Sequence, residues 1–259
     1  AAMGGRIRAL VSGGAPLAPE LAFAFYGAGL PIYQGYGLTE SSPTITTNRT
    51  YANRIGSVGQ AIPGVTVKIA EDGEILCKGP NVMMGYYKNE ELTNEVLKDN
   101  YFYTGDIGEI DQDGFLRITD RKKEMFKTSG GKYVAPQMIE NTMKQSLFIE
   151  QMMVIGEGEK MPAAFIQPNY DYLKDWAAKE GVDIGDLHEE ICANPLVINL
   201  FQKEVDRYNE QFGHWEQVKK FELTPDVWSI DGGELTPTLK LKRKVIKEKY
   251  KKLYDKIYS

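Results

Sequence analysis

The spacing of hydrophobic positions changes character twice along the chain, which divides it into three regions. Residues 6–12 (RIRALVS) predict a buried strand that runs into Gly13-Gly14. Residues 17–27 predict a helix, with a proline in its first turn and a glycine beyond its end. Residues 30–34 predict a second short strand running into Gly35. Strand, helix and strand in so few residues predict a right-handed crossover within a parallel sheet. Both glycine turns then fall at the carboxyl ends of their strands, the edge where open α/β sheets bind ligands. Plain tight turns are the competing reading.

Between residues 56 and 119 the pattern becomes short β runs: VTVKIA, EDGEILCKGP and FLRIT. Asp72-Gly73 and Asp113-Gly114 are hairpin signals, so a small antiparallel subdomain is expected. After Asp120-Arg121-Lys122-Lys123 the pattern turns mixed, with helices at 136–147 and 170–179 and strands at 151–155 and 163–167. Leu196, Val197, Leu200, Phe201, Val205, Tyr208 and Phe212 recur on one helical face. Val245, Ile246, Tyr250, Leu253, Tyr254 and Ile257 do so in a last helix, and both stripes are read as core. The expected fold class is α/β followed by α+β. Residues 1–54 close an N-terminal α/β subdomain, 55–119 are β-rich, and 124–259 form an α+β domain large enough to fold alone.

Composition narrows the functional classes. Of 259 residues, 42% are hydrophobic and 26% charged, ordinary for a globular chain. No apolar run approaches the ~20 residues that span a bilayer, and no signal segment opens the sequence. Cys77 and Cys192 lie in unrelated segments, and with only His188 and His214 beside them no zinc cluster forms. A reducing cytoplasm is therefore expected. Cys77 is read as strand core, and the histidines receive no role. The net charge of −5 argues against attraction to nucleic acid. One segment departs from this balance: residues 240–256 hold nine basic side chains against Glu248 and Asp255.

Four clusters carry candidate chemistry. The first is SGGAPL, at residues 12–17, and the second QGYGLTE, at 34–40. Their glycines let the backbone approach a flat ligand. Tyr36 offers a stacking face, Thr39 a hydroxyl, and Glu40 a carboxylate suited to a hard cation bridging phosphates. The third, residues 103–140, opens with YTGDIG and contains DRKKEMFKTSGGKYVAPQMIE. Asp106 there can accept two hydrogen bonds from a ribose, and Arg121 presents a fixed donor fork. The fourth is LTPTLKLKRK, at residues 235–244. Each is weak alone, and their order along one chain is what is specific.

These motifs resemble those of the adenylate-forming enzymes, the superfamily of acyl-CoA synthetases, luciferases and nonribosomal-peptide adenylation domains. YGLTE, GEILCKGPNVMMGYY, YTGDIG, DGFLRITDRKKEMFKTSGGKYVAPQMIE and TPTLKLKRK match successive family motifs, and the block from Asp106 to Glu140 is most similar to long-chain fatty acid–CoA ligases. The resemblance implies a C-terminal fragment of such an enzyme, with ATP/AMP, Mg²⁺ and coenzyme A as cofactors. Carboxylate and ATP would give acyl-AMP and pyrophosphate, and CoA would then give acyl-CoA and AMP. Gly13, Gly14 and Ala15 would line the acyl and adenine pockets, joined by the Gly35-Tyr36-Gly37 turn. Tyr36 would pack on adenine, Thr39 would contact the α-phosphate, and Glu40 would bind Mg²⁺. Asp106 would hold the ribose hydroxyls, with Arg121 alongside. Residues 120–123 would be the hinge, with Lys123 as its pivot, and 124–259 a mobile lid. Lys240 would enter the site in the first half-reaction, while Lys127, Gly130 and Gly131 would line the thiol tunnel. Most relatives carry Ser/Thr-Gly-Lys where this chain has Thr238-Leu239-Lys240; the lysine stays aligned.

Plainer readings stand beside these. Asp106 could cap the TGD bend, Glu40 could cap a helix, and Arg121 could pair with Asp120 or Glu124. The basic tail reads as a solvated face, as an attractor for the CoA 3′-phosphate, or as a peripheral contact with the inner membrane face. Partners are expected to be fatty acid, ATP, CoA and an N-terminal domain of the same protein. An acyl-AMP ligase that loads a carrier protein, or a nucleotide- or CoA-binding fragment without catalysis, are the alternatives. The sequence contains no Ser/Thr/Gly-rich phosphate loop, so the chain alone is expected to be inactive.

Overall fold

In the computed structural model, which describes residues 5–259, Leu10–Ser12 (β1) and Ile32–Tyr36 (β2) pair in parallel, with helix Pro19–Gly27 (α1) between them. The expected buried strand at 6–12 is shorter and more open. Among the described residues β1 pairs on one side only, and Val11 is 82% exposed. Thr46–Thr47 (β3) pairs antiparallel with β2, and Gln60–Ala61 (β4) with β3. This sheet therefore runs past residue 54, where a subdomain boundary was expected. The Asn48 amide donates to the Gln34 and Ser57 carbonyls and joins the two stretches. Gly59 (φ +85°) lets the chain cross so closely that a Cβ there would lie 1.9 Å from the Thr47 carbonyl carbon.

The second sheet of this unit holds Thr66–Ile69 (β5) and Glu74–Lys78 (β6). It continues after helix Glu90–Val96 (α2) with Leu97–Lys98 (β7), Tyr101–Ile110 (β8) and Leu116–Arg121 (β9). β5–β6 and β8–β9 are hairpins at the two Asp-Gly turns. β8 lies against β6, with β7 and β9 on its other edge. No strand was expected at β8, because its Gly-Asp-rich centre hides the alternation. Its burial nevertheless alternates strictly from Tyr101 to Gly108. Cys77, Ile75, Phe102 and Leu116 form the core, with Tyr36 and Ile45.

The chain divides into two compact units between Lys123 and Glu124. The second begins with a small hairpin, Phe126–Lys127 (β10) and Tyr133–Val134 (β11), and helix Pro136–Met143 (α3). Ile149–Ile155 (β12) pairs antiparallel with Ala163–Pro168 (β13). Tyr170–Glu180 (α4), His188–Ala193 (α5) and Pro195–Asn209 (α6) follow, then Lys220–Leu223 (β14), parallel to β13. Alternation on β12 and β13 feeds two cores. Met152, Val154, Ala164 and Ile166 face one cluster with α3, α4 and α6, and Met153, Ile155, Ala163 and Phe165 the other. The last helix is broken at Tyr250 into Arg243–Lys249 (α7) and Lys251–Tyr258 (α8). Leu196 and Val245, expected in the core stripes, are exposed at the stripe edges. Among the described residues no helix is long and apolar enough to cross a membrane.

Candidate functional site

In the first unit the two glycine turns lie side by side, because β1 and β2 are in register from Leu10–Ile32 to Ser12–Gln34. A Cβ on Gly13 would sit 3.4 Å from the Gly35 carbonyl, and Gly14 has φ +81°; Ala15 follows on the same exposed turn. Gly37 is the tightest point. A Cβ there would lie 1.7 Å from the Pro43 carbonyl oxygen, so the chain folds back on itself through a site only glycine fills. The fold-back makes a 3-10 turn at Thr39–Ser41, which exposes the Thr39 side chain and leaves Glu40 half-buried.

Asp106 is a buried carboxylate of this unit, only 6% exposed. The Tyr36 hydroxyl donates to its Oδ2 at 2.7 Å, and Arg121 Nε approaches Oδ1 at 3.3 Å. Strand register produces this, since Arg121 is the cross-strand partner of Asp106 on β9. The plainer reading paired Arg121 with Asp120 or Glu124; its ion pair in the structure is with Asp106. Burial, then the Asp106 charge, pushes the Tyr36 phenol well above its usual range, so it is a fixed donor. The Tyr36 ring was expected to offer a stacking face. It is buried in the core, 9% exposed.

Glu40 Oε1 accepts a hydrogen bond from the Tyr86 hydroxyl at 2.8 Å. Burial and this bond push the Tyr86 phenol up to about 12. Among the described residues no group of three or more His, Cys, Asp or Glu could hold a metal. A single carboxylate fits a cation that takes its other ligands from phosphates and water, as Mg²⁺ does. Lys122, beside the expected hinge pivot, is tied down. Its Nζ meets Asp72 at 2.6 Å and the buried Glu74 at 2.7 Å, and those bonds raise its pKa. Glu74 also accepts the Gly105 N–H at 2.8 Å. Lys123 is exposed and is the last residue of this unit. Residues 120–121, counted in the expected hinge, belong to β9.

In the second unit Lys240 is exposed on a small loop closed by a Leu235–Leu241 bridge. The Thr236 N–H donates to the Lys240 carbonyl, and Leu239 N–H to the Thr236 carbonyl, both at 2.8 Å. Leu239 has φ +59°, the left-handed conformation that glycine adopts freely. The Ser/Thr-Gly-Lys pattern of most relatives suits this geometry, and this chain departs from it at the strained residue. Lys127 lies in β10 with its Nζ 4.6 Å from the Tyr133 ring centre. Gly130 and Gly131 form the exposed turn beyond it, with Gly131 at φ +75°.

Arg243 was missed by sequence reasoning. Its Nη1 and Nη2 make a fork on Glu140 at 2.8 and 2.7 Å, and Nε reaches Glu124 at 2.9 Å. Glu140, 4% exposed, also accepts the Val154 N–H. Burial pushes its carboxyl up, and the Arg243 charge is the main force against that. A Glu-Arg pair so distant in sequence gives no local signal. The other cations of the basic run are partly neutralised too: Lys249 pairs with Asp226 and Glu234, Lys251 with Asp255, and Lys256 with Glu222.

Two family profiles match the chain: the AMP-binding enzymes over residues 1–87 and the AMP-binding enzyme C-terminal domain over residues 124–259. The chain therefore belongs to the AMP-binding, adenylate-forming enzyme family. It is 40% identical over 259 residues to the long-chain-fatty-acid–CoA ligase FadD15 of Mycobacterium tuberculosis, covering all of this chain and 43% of that protein. It is 36% identical over 273 residues to the human long-chain-fatty-acid–CoA ligase 1, covering 99% of this chain and 39% of that one. The chain thus spans about two-fifths of the length of these relatives. The fold is similar to o-succinylbenzoate CoA synthetase of Bacillus subtilis in complex with its acyl-adenylate (TM-score 0.72, 23% identity, 93% of this chain and 46% of that one). It is also similar to the adenylation domain of a carboxylate reductase from Mycobacterium chelonae (TM-score 0.75, 22% identity, 98% and 39%).

Proposed function

We propose that this chain is part of a long-chain fatty acid–CoA ligase, a two-step enzyme that adenylates a fatty acid and transfers the acyl group to CoA. The observation that carries the reading is Asp106, a buried carboxylate oriented by the Tyr36 hydroxyl and the Arg121 guanidinium. Such a carboxylate is built to accept two hydroxyls from one ligand, as a ribose presents them. The similarity to fatty acid–CoA ligases over the whole chain supports the substrate class.

Both half-reactions move negative charge, onto the α-phosphate and then onto the acyl carbonyl oxygen. Neither needs a strong base, because the acid is already ionised and AMP is a good leaving group. Fixed donors and cations are therefore the fitting equipment. In this reading Asp106 fixes the ribose, Arg121 supplies a cation beside it, Thr39 donates to the α-phosphate, and the Gly13-Gly14-Ala15 and Gly35–Gly37 turns let the nucleotide lie against backbone. Glu40 holds Mg²⁺, which when bound screens the phosphate charge. Lys123 serves as pivot, Lys240 stabilises charge in adenylation, and Lys127 with Gly130 and Gly131 lines the thiol path.

Calorimetry on the chain tests the carrying observation. Asp106→Asn keeps the shape and should weaken AMP binding at least tenfold; unchanged AMP affinity would remove the basis of the reading. In the protein that carries this chain, Lys240→Ala should slow ATP–pyrophosphate exchange by roughly 10²–10³-fold, the loss of one transition-state donor. It should spare thioester formation from supplied acyl-AMP, and an equal loss in both steps would displace Lys240 from its role. The narrower proposal of a peripheral membrane contact rests on Lys244, Lys247 and Lys252, which stand outside the ion pairs of the run. Co-sedimentation with anionic but not neutral vesicles, abolished by neutralising these three, is the expected outcome.

A further inference from the structure

The segment from Gly79 to Tyr86, part of the GPNVMMGYY motif, has no role in the scheme above. It is nevertheless the segment on which the Glu40 turn rests. The Asn81 amide donates to the Ser41 carbonyl at 3.0 Å and to the Thr44 carbonyl at 2.8 Å. The Met83 N–H donates to the Glu40 carbonyl at 2.8 Å. The Tyr86 hydroxyl donates to Glu40 Oε1 at 2.8 Å. One strand of chain thus grips the turn at its carboxylate, its backbone and its far side.

The grip is itself built with care. Asn81 Oδ1 is buried without a hydrogen-bond partner among the described residues. An orphaned buried acceptor is costly, since it has given up water without gaining a donor. The amide tolerates that cost because the flipped arrangement would turn its oxygen onto two carbonyls. Gly79 leaves room for this side chain, since a Cβ there would lie 2.6 Å from Asn81 Oδ1. Gly85 (φ +150°) admits Thr93 of α2 at 2.7 Å from the same test position, and the Thr93 hydroxyl oxygen accepts the Tyr86 N–H at 2.9 Å. Tyr86 is therefore located before it touches Glu40.

We infer that Asn81 and Tyr86 are positioning residues. They hold the Thr39–Ser41 turn so that Glu40 presents its second oxygen, Oε2, to a divalent cation on the nucleotide phosphates. The inference rests on the reading of Glu40 as the cation carboxylate. Holding one rotamer-rich side chain ready is worth about 0.5–1.5 kcal/mol, a factor of roughly 2–12 in affinity.

The test uses Mn²⁺–ATP as the probe, with binding followed by electron paramagnetic resonance, and amide hydrogen exchange read at Ser41, Ser42 and Met83. Tyr86→Phe removes only the hydroxyl, and should weaken Mn²⁺–ATP binding severalfold with little change in exchange. Asn81→Ala should weaken it similarly and speed exchange at all three amides, while amides of the second unit keep their rates. Glu40→Gln is the control for the underlying reading. If Glu40→Gln weakens Mn²⁺–ATP binding while Tyr86→Phe and Asn81→Ala leave it unchanged or tighter, the positioning role is overturned and the reading of Glu40 stands. If Glu40→Gln has no effect, the reading of Glu40 falls and takes the cation part of the inference with it. Exchange that stays slow in Asn81→Ala would overturn the grip on the turn.

Discussion

Replacing Arg243 with alanine should open the second unit at a single buried charge. The wild-type guanidinium supplies both fork donors to Glu140 and a third contact to Glu124. Without it, a carboxylate that is 4% exposed keeps the Val154 N–H as its one hydrogen-bond donor among the contacts described. Breaking a buried pair in this way costs about 3–5 kcal/mol, because the orphaned charge must be carried or neutralised. In the variant the folded-state carboxyl, already raised by burial in the wild type and no longer opposed by the Arg243 charge, rises further above its unfolded value. A raised folded-state pKa gives stability that is present below the unfolded value, near 4.3, and is lost as pH rises through the folded value. The variant should therefore be weakest relative to wild type at neutral pH and recover towards pH 4–5.

The assay is urea unfolding followed by tryptophan fluorescence. All three tryptophans, Trp176, Trp215 and Trp228, lie in the second unit, so the signal reports that unit alone. A loss below about 1 kcal/mol with no pH dependence would show that Glu140 carries no costly buried charge. The pair would then be one more solvent-screened contact. Glu140→Gln separates the two sides of the pair. It removes the buried charge while Arg243 retains Glu124, so it should cost about 1.5–3 kcal/mol and lose little with pH.

Two more outcomes follow from backbone geometry. Leu239→Gly should stabilise the second unit by about 0.5–1 kcal/mol in the same assay, because relief of the left-handed strain exceeds the added freedom of the unfolded chain. A loss on that substitution would show that the loop does not hold this conformation. Gly37→Ala places a Cβ 1.7 Å from the Pro43 oxygen and should displace the 38–44 fold-back, weakening AMP binding by more than tenfold. Retained AMP affinity would mean that the turn contributes nothing to nucleotide binding.

The class and much of the element order are legible in local sequence pattern. Alternating runs and the Asp72-Gly73 turn marked the β5–β6 hairpin, Asp113-Gly114 and FLRIT marked the second turn and β9 but not β8, and helical stripes marked α6 and the last helix. These are local signals, carried by period and turn chemistry within a dozen residues. Asp106, Glu40 and Lys240 were legible as candidates because motif order places them, although composition alone could not choose Lys240 among its neighbours.

Tertiary structure decided which groups those candidates meet. Arg121 faces Asp106 because of a strand register that only the paired backbone shows. Tyr36 became a core residue and a hydrogen-bond donor rather than an open stacking face, since Ile45, Val58 and Cys77 close around it. The basic run lost much of its apparent charge to Asp226, Glu222, Glu234 and Glu140, acids that lie more than ten residues away along the chain. Charge counted along a sequence is a one-dimensional sum, whereas fields and desolvation depend on three-dimensional neighbours. For the same reason the grip of Asn81 and Tyr86 on the Glu40 turn, across some forty residues, had no signature in the sequence pattern.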